Sequence, residues 1–329
     1  GVSAVSRMPA AVVTGLGEVR CEEAEVPEPT PGKVLVKTSL ASICGSDLHI
    51  AYMGWNVWQY PLPPGHPGHE AIGEVVDGGA TGFSPSDVVL TVPNVFEAAC
   101  FAGYQLLDPQ YLLKLPDSST MPELLMAQQL GTVVYGAKRL STLEGGTVVV
   151  IGQGSVGLFH DFVLRRLGAA RIIAIEPVRE RPAAARAFGV DEAIGVDGDA
   201  ATEAVLDLTG GEGADVVVEA VGSIETLAQA LKMTRPAGRI ALFGLPPTME
   251  AVPFDWDTFF RKQLTMHAVH GAQEEPGLPD FQEAVDLIVD GEIDVAPFLT
   301  HRFPVDRVQE AFDLADSRGD GALKVLLTF

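Results

Sequence analysis

The sequence predicts an α/β protein in which a doubly wound parallel sheet is joined to a second, β-rich domain. Three observations carry this. Residues 8 to about 115 hold short β segments broken by Pro and Gly. From about 122 onward, continuous apolar strands alternate with segments of helical length. A glycine-rich turn, GQGSVG, sits between one such strand and the helix that follows it.

In the first region the strand segments are AAVVTG, KVLVKTSLAS, HEAIGEVVD and DVVLTVP, with loops marked by PEPTPG and PLPPGHPG. MPELLMAQQLGTVVYGAKRL has helical length and few breakers. TVVVIG then reads as a buried strand and GQGSVGLFHDFVLRRLGAA as a helix. The alternation continues through RIIAIE, RERPAAARAFG, ADVVVEAVG, SIETLAQALKMTR and GRIALFG. Buried strands alternating with helices imply a parallel sheet with right-handed crossovers. Two further helices, PDFQEAVDLIVDG and VDRVQEAFDLADS, and a last strand, ALKVLLTF, are expected to return to the first domain. The boundaries expected are 1–121, 122–269 and 270–329, with no internal repeat and no low-complexity tract.

Composition narrows the function. The 329 residues are 47% apolar and 20% charged, a globular balance long enough for two cores. A net charge of −22 repels nucleic-acid phosphates and anionic membrane surfaces, so neither is expected as a partner. No apolar run approaches the roughly 20 residues that span a bilayer, and GVSAVSRMPAA has no apolar core of signal-peptide length. Three cysteines, Cys21, Cys44 and Cys100, argue against a disulfide scaffold. The expectation is a cytoplasmic protein.

The motif Gly152, Gln153, Gly154, Ser155, Val156, Gly157 fits G-x-G-x-x-G and follows TVVVI directly. Gly152 permits the tight turn, Gly154 lets a pyrophosphate approach the backbone, and Gly157 lets the helix pack on the strand. The helix N-terminus offers free N–H groups to phosphate. The next strand ends at Glu176, where a carboxylate accepts from adenosine ribose hydroxyls and repels a 2′-phosphate, which favours NAD. Arg181, with Arg179, is the nearby feature that would touch the nucleotide and that would suit NADP.

A second cluster runs ICGSDLH from Ile43 to His49, with Gly68, His69 and Glu70 downstream. Cys44, His69 and Glu70 offer the S, N and O ligands that a catalytic zinc takes, with a fourth position open. Ser46 and His49 could relay the alcohol proton. Asp47 could accept the spare ring N–H of His69. Spacing alone leaves a buried apolar cysteine and structural histidines as an equal alternative. Cys21 and Cys100 read as inert, His66 as a loop residue, and His160, His267, His270 and His301 as structural or surface.

Together, ICGSDLH, GHE-x-x-G (Gly68, His69, Glu70, Gly73), GQGSVG, DVVVEAVG and GRIALFG resemble the medium-chain dehydrogenase/reductase superfamily, in its zinc-dependent alcohol and polyol dehydrogenase branch. The resemblance implies a GroES-like catalytic domain built from both chain ends, a Rossmann domain between them, and an active site in the cleft. It implies zinc-ligand roles for Cys44 and His69 and relay roles for Ser46 and His49. The stretch TVPNVFEAACFAGYQLLDPQYLLKLPD holds only Cys100, where structural-zinc members carry four cysteines, so no structural zinc is expected. Many relatives place a further catalytic ligand where this chain has Gln129; sorbitol-dehydrogenase-like members suggest Glu70 as third ligand instead, with water fourth.

The function expected is hydride transfer between a secondary alcohol or polyol and NAD(H) at one catalytic Zn²⁺, with a small alcohol or carbonyl as substrate. The aromatics Tyr52, Trp55, Trp58 and Tyr60 either line the pocket or pack as an ordinary loop. A homodimer or homotetramer is expected through the sheet edge near GRIALFG and LTMHAVHG. The alternatives are a zinc-free enoyl or quinone reductase, an NAD-using lyase or epimerase, and a non-catalytic NAD-binding protein.

Overall fold

The computed structural model describes residues 6–116, 122–178 and 185–329. Two compact units emerge: Gly1–Thr132 with Gly271–Phe329, and Val133–His270. Helices among the described residues include α1 (Gly45–Met53), α2 (Ala127–Lys138), α3 (Ser155–Arg166), α4 (Gly198–Leu208), α5 (Ile224–Met233), α6 (Trp256–Arg261), α7 (Pro279–Val289) and α8 (Val308–Ser317).

The first unit opens on an antiparallel hairpin, β1 (Arg7–Gly15) with β2 (Glu18–Glu25). Its main sheet is built from β3 (Val34–Ser42), β4 (Ala71–Asp77), β5 (Val88–Thr91), β6 (Tyr104–Leu107) and β7 (Leu112–Lys114), joined by late strands β14 (Leu299–Pro304) and β15 (Lys324–Thr328). The order is β14-β15-β3-β4-β5-β7, with β6 also on β3. Leu326 pairs with Ser42, and Ala41 with Ala71. Three chain segments far apart in sequence therefore meet at one corner: the end of β3, the residues just before β4, and the start of β15. Beneath them lies a core of Val13, Ile43, Ile50, Phe101, Phe312 and Leu327, where Phe101 meets Phe312 edge to face.

The second unit is a six-stranded sheet of β8 (Thr147–Ile151), β9 (Arg171–Ile175), β10 (Glu192–Ile194), β11 (Ala214–Glu219), β12 (Thr234–Leu242) and β13 (Thr265–Ala268). The order is β10-β9-β8-β11-β12-β13, every pair parallel. The strand order reverses between β8 and β11, which is where an open parallel sheet offers its ligand crevice, beyond the carboxyl ends. β8 is TVVVI and β9 is RIIAI because both faces of these strands are covered, so they carry apolar runs rather than alternation.

Two boundaries differ from the sequence expectation. Residues Pro122–Met126 form a 3-10 turn before α2 rather than its first helical turn. α5 stops at Met233, and β12 starts at once at Thr234 instead of at the following glycine. Thr234 Oγ1 donates to the Ala230 carbonyl at 2.7 Å and closes the helix, and Pro236 could not have continued it.

Candidate metal centre and nucleotide loop

The corner where β3, β4 and β15 meet holds the first cluster. Cys44 is the residue before α1, and its backbone N–H donates to Asp47 Oδ2 at 2.8 Å. A carboxylate in the first turn of a helix is at home there, facing free N–H groups. The other oxygen, Oδ1, lies 3.1 Å from His69 Nδ1, and the Pro67 carbonyl lies 3.0 Å from the same nitrogen. Asp47 is fully buried. It therefore positions Cys44 through the backbone and His69 through the ring, and fixes the Nδ1–H tautomer that leaves Nε2 free for a ligand role. Burial acts to lower the His69 imidazole, but Asp47 and the Cys44 sulfur outweigh it and hold the ring well above its ordinary range.

Nε2 of His69 faces Ser46 Oγ at 3.1 Å. His49 Nδ1 donates to the Gly45 carbonyl at 2.9 Å, one helical turn back. Gln129, from α2, points its amide nitrogen at Cys44 Sγ at 3.8 Å. Ser46, His69, Cys44 and Gln129 are thus brought together, while His49 is held by its own helix.

Glu70 departs from its expected role. Its Oε1 accepts from Ser42 Oγ at 2.9 Å and from the ammonium of Lys324, which also donates to the Ile43 carbonyl. Lys324 and Glu70 are buried together. Burial would lower the Lys324 ammonium, but Glu70, Cys44 and Asp47 raise it above its usual value. Among the described residues, no three His, Cys, Asp or Glu side chains converge as a ready ligand set. The ligand oxygen read from GHE is instead half committed to a lysine that sequence spacing could not reveal.

The cluster nonetheless fits a divalent cation. Asp47 holds Cys44 and His69, and Lys324 pairs with Glu70; sulfur, imidazole and carboxylate donors gathered at one corner suit a divalent cation. Glu70 Oε2 and Gln129 Oε1 are buried oxygens without a hydrogen-bond donor. Orphaned acceptors around a thiol and an imidazole are the donor chemistry of a zinc site.

In the second unit, Gly152 closes β8 at φ +99°, its N–H bonded to the Ile175 carbonyl at 2.8 Å. Only glycine holds that angle without strain. A Cβ on Gly157 would fall 1.9 Å from the Gly152 carbonyl oxygen, so the helix reaches the strand only because this residue has no side chain. Ser155 and Val156 open α3. Glu176, 2% exposed, accepts from Gln153 N and Val178 N, each at 3.2 Å. The Gly-rich loop and the acidic residue thus meet at the reversal point of the sheet. Arg181 lies outside the described residues, as does Arg179.

Elsewhere, burial pushes the Cys100 thiol up to about 12, which leaves it protonated and inert at neutral pH. Burial lowers His66, whose Nδ1 donates to the Ala98 carbonyl. Of the aromatic loop, Tyr52 is tied to Asp313 at 2.7 Å and Trp55 packs on Phe96, whereas Trp58 is 78% exposed.

Comparison with known proteins agrees with these features. Residues 30–117 match the alcohol dehydrogenase GroES-like domain, and residues 155–290 match the zinc-binding dehydrogenase family. The chain is 30% identical to L-threonine 3-dehydrogenase of Pyrococcus horikoshii over 93% of its length and 94% of that protein's. It is 28% identical to sorbitol dehydrogenase of Gallus gallus, covering 97% of this chain and 95% of the other. An alcohol dehydrogenase from Thermus sp. ATN1 superposes with a TM-score of 0.80 at 27% identity, over 98% and 99% of the two chains. With a doubly wound parallel sheet, a GroES-like unit made from both ends of the sequence, and a cysteine–histidine pair at its corner, this chain belongs to the zinc-dependent alcohol and polyol dehydrogenases of the medium-chain superfamily.

Proposed function

We propose that this protein oxidises secondary alcohols or polyols, reversibly, with NAD as hydride acceptor and one zinc ion held by Cys44, His69 and the free oxygen of Glu70. The observation that carries the reading is the Asp47 carboxylate that holds both Cys44 and His69, together with a buried Glu70 Oε2 that no donor satisfies. Bound zinc would polarise the substrate hydroxyl while nicotinamide takes the hydride. Ser46 Oγ accepts the hydroxyl proton, and His49 passes it on towards solvent. Asp47 keeps His69 in the ligating tautomer. The Gln129 amide donates to the Cys44 sulfur. Glu176 favours NAD by repelling a 2′-phosphate.

The substrate class follows from chemistry shared by the relatives: threonine and sorbitol both offer a secondary carbinol, in agreement with the sorbitol-like ligand pattern. The decisive experiment is zinc analysis of the purified protein, followed by NAD and NADP reduction across threonine, sorbitol and simple secondary alcohols, with and without chelator. One zinc per chain and chelator-sensitive NADH formation are expected. Zinc-loaded protein that reduces neither nucleotide with any of these alcohols overturns the reading.

A second copy of the chain is the proposed partner. β13 ends the parallel sheet, and the neighbouring α6 exposes Trp256 and Phe260 at 73% and 74%. An uncovered strand edge beside two bare aromatics is hidden by pairing with another subunit. Sedimentation as a monomer at micromolar concentration would contradict this. No helix among the described residues is long and apolar enough to cross a membrane.

A further inference from the structure

Behind the glycine-rich loop lies an acid that the reaction above does not use. Asp161, on α3, is completely buried. Gln153 Nε2 donates to its Oδ1 at 3.2 Å. Its other oxygen, Oδ2, has no partner, and neither does Gln153 Oε1. Two buried acceptors, one on each member of a bonded pair, cannot satisfy each other; one proton between them can.

We infer that Asp161 is a neutral carboxylic acid that donates from Oδ2 to Gln153 Oε1, closing a two-bond acid–amide ring that holds the dinucleotide loop in its binding form. Gln153 is well placed to pass on that constraint. Its backbone N–H binds Glu176 at 3.2 Å and its side-chain amide binds the Gly152 carbonyl at 3.0 Å. Asp161 is thus a positioning residue, acting on the nucleotide through Gln153.

The surroundings offer no counter-charge that would favour the ionised form. β8, against which α3 packs, carries no titratable side chain. On β9, Arg171 is spent on Glu192 and the Leu208 carbonyl. At the far end of α3, Arg165 binds Asp191, and Arg166 lies over the Phe162 ring. His160, next in sequence, is lowered to about 4 by burial, is neutral, and donates from Nδ1 to the Val156 carbonyl. Glu176, on the loop side, adds only negative charge. Burial accordingly pushes Asp161 well above the usual carboxylate range, against the smaller downward pull of the Gln153 amide.

The consequence is an alkaline loss of nucleotide affinity. Once Asp161 ionises, Oδ2 faces Gln153 Oε1 as acceptor against acceptor, the ring opens, and the loop loses its brace. This rests on the loop being the dinucleotide site, so the test separates the two. The infrared carbonyl band of a protonated carboxylic acid is recorded at neutral pH for wild type and D161N. NADH binding is titrated by fluorescence from neutral to alkaline pH for wild type, D161N and D161L. The inference expects a protonated-acid band that D161N lacks. It expects wild-type affinity to fall by about tenfold, or 1.4 kcal/mol, into the alkaline range. D161N, whose amide donates at every pH, should keep the affinity and lose the pH dependence, while D161L binds weakly throughout. Absence of the band, or parallel pH profiles for wild type and D161N, overturns it. Failure of wild type to bind NADH at any pH overturns the nucleotide reading, while the band still decides the proton.

Discussion

Lys324 and Glu70, 254 residues apart in sequence, form an ion pair that is 1% and 0% exposed. Taking both charges out of water is expensive, and each is tolerated because the other is there. Lys324→Met leaves Glu70 buried without its cation and should cost about 3–5 kcal/mol. The measurement is denaturant unfolding. Replacing both residues with apolar ones should recover most of that loss, whereas a Lys324→Met protein as stable as wild type would mean that water reaches the pair.

Asp47 touches two of the three proposed ligands, Cys44 and His69, but is not one itself. Asp47→Ala should weaken zinc binding by about 10- to 100-fold, the range seen when a ligand's supporting carboxylate is removed. Competition against a chromophoric chelator gives the number, and unchanged zinc affinity would reduce Asp47 to a helix cap.

Ser46 carries its hydroxyl 3.1 Å from His69 Nε2. Ser46→Ala should lower kcat by about 100-fold or more, the contribution of a positioned proton acceptor, with the NADH dissociation constant unchanged. Equal loss of nucleotide binding, or no loss of kcat, removes Ser46 from the proton path.

Gly157→Ala places a methyl group 1.9 Å from the Gly152 carbonyl oxygen, and that neighbour is backbone. The helix must back away from the strand at a cost of about 1–3 kcal/mol. NADH affinity should fall along with the melting temperature.

Asp161 gives a dependence of stability on pH. Its carboxyl titrates near 3.9 in the unfolded chain and well above that in the fold. Its contribution to stability is therefore fully present below about pH 3.9 and declines as pH rises towards the folded value. Asp161→Asn should raise the melting temperature at neutral pH, with the difference shrinking as pH approaches 4. A constant difference across that range would show that Asp161 ionises normally.

Much of this was legible in the sequence because it is local. The GQGSVG turn, the strand before it and Glu176 after it lie within a short stretch, and each glycine's steric duty follows from spacing. Asp47 as the partner of His69 was legible too, since it sits one helical turn from Cys44 and carboxylate–imidazole pairing is common beside a metal. Lys324 was not legible: nothing in ALKVLLTF marks a lysine in an apolar strand as the buried partner of a distant carboxylate. Only the pairing of β15 with β3 brings it there. Asp161 was hidden in the opposite way. It lies in a helix whose period was read correctly, yet a polar residue on the inward face gives no sign of what it meets until Gln153 is seen beside it.

The discontinuity of the first unit has a consequence for synthesis. Val133–His270 is one contiguous stretch and can fold as soon as it emerges. The segment bearing Cys44 and Glu70 leaves the ribosome first, yet must wait for Lys324 before its inner carboxylate has a counter-ion. The half of the enzyme whose first segment is translated earliest is therefore the last to be finished.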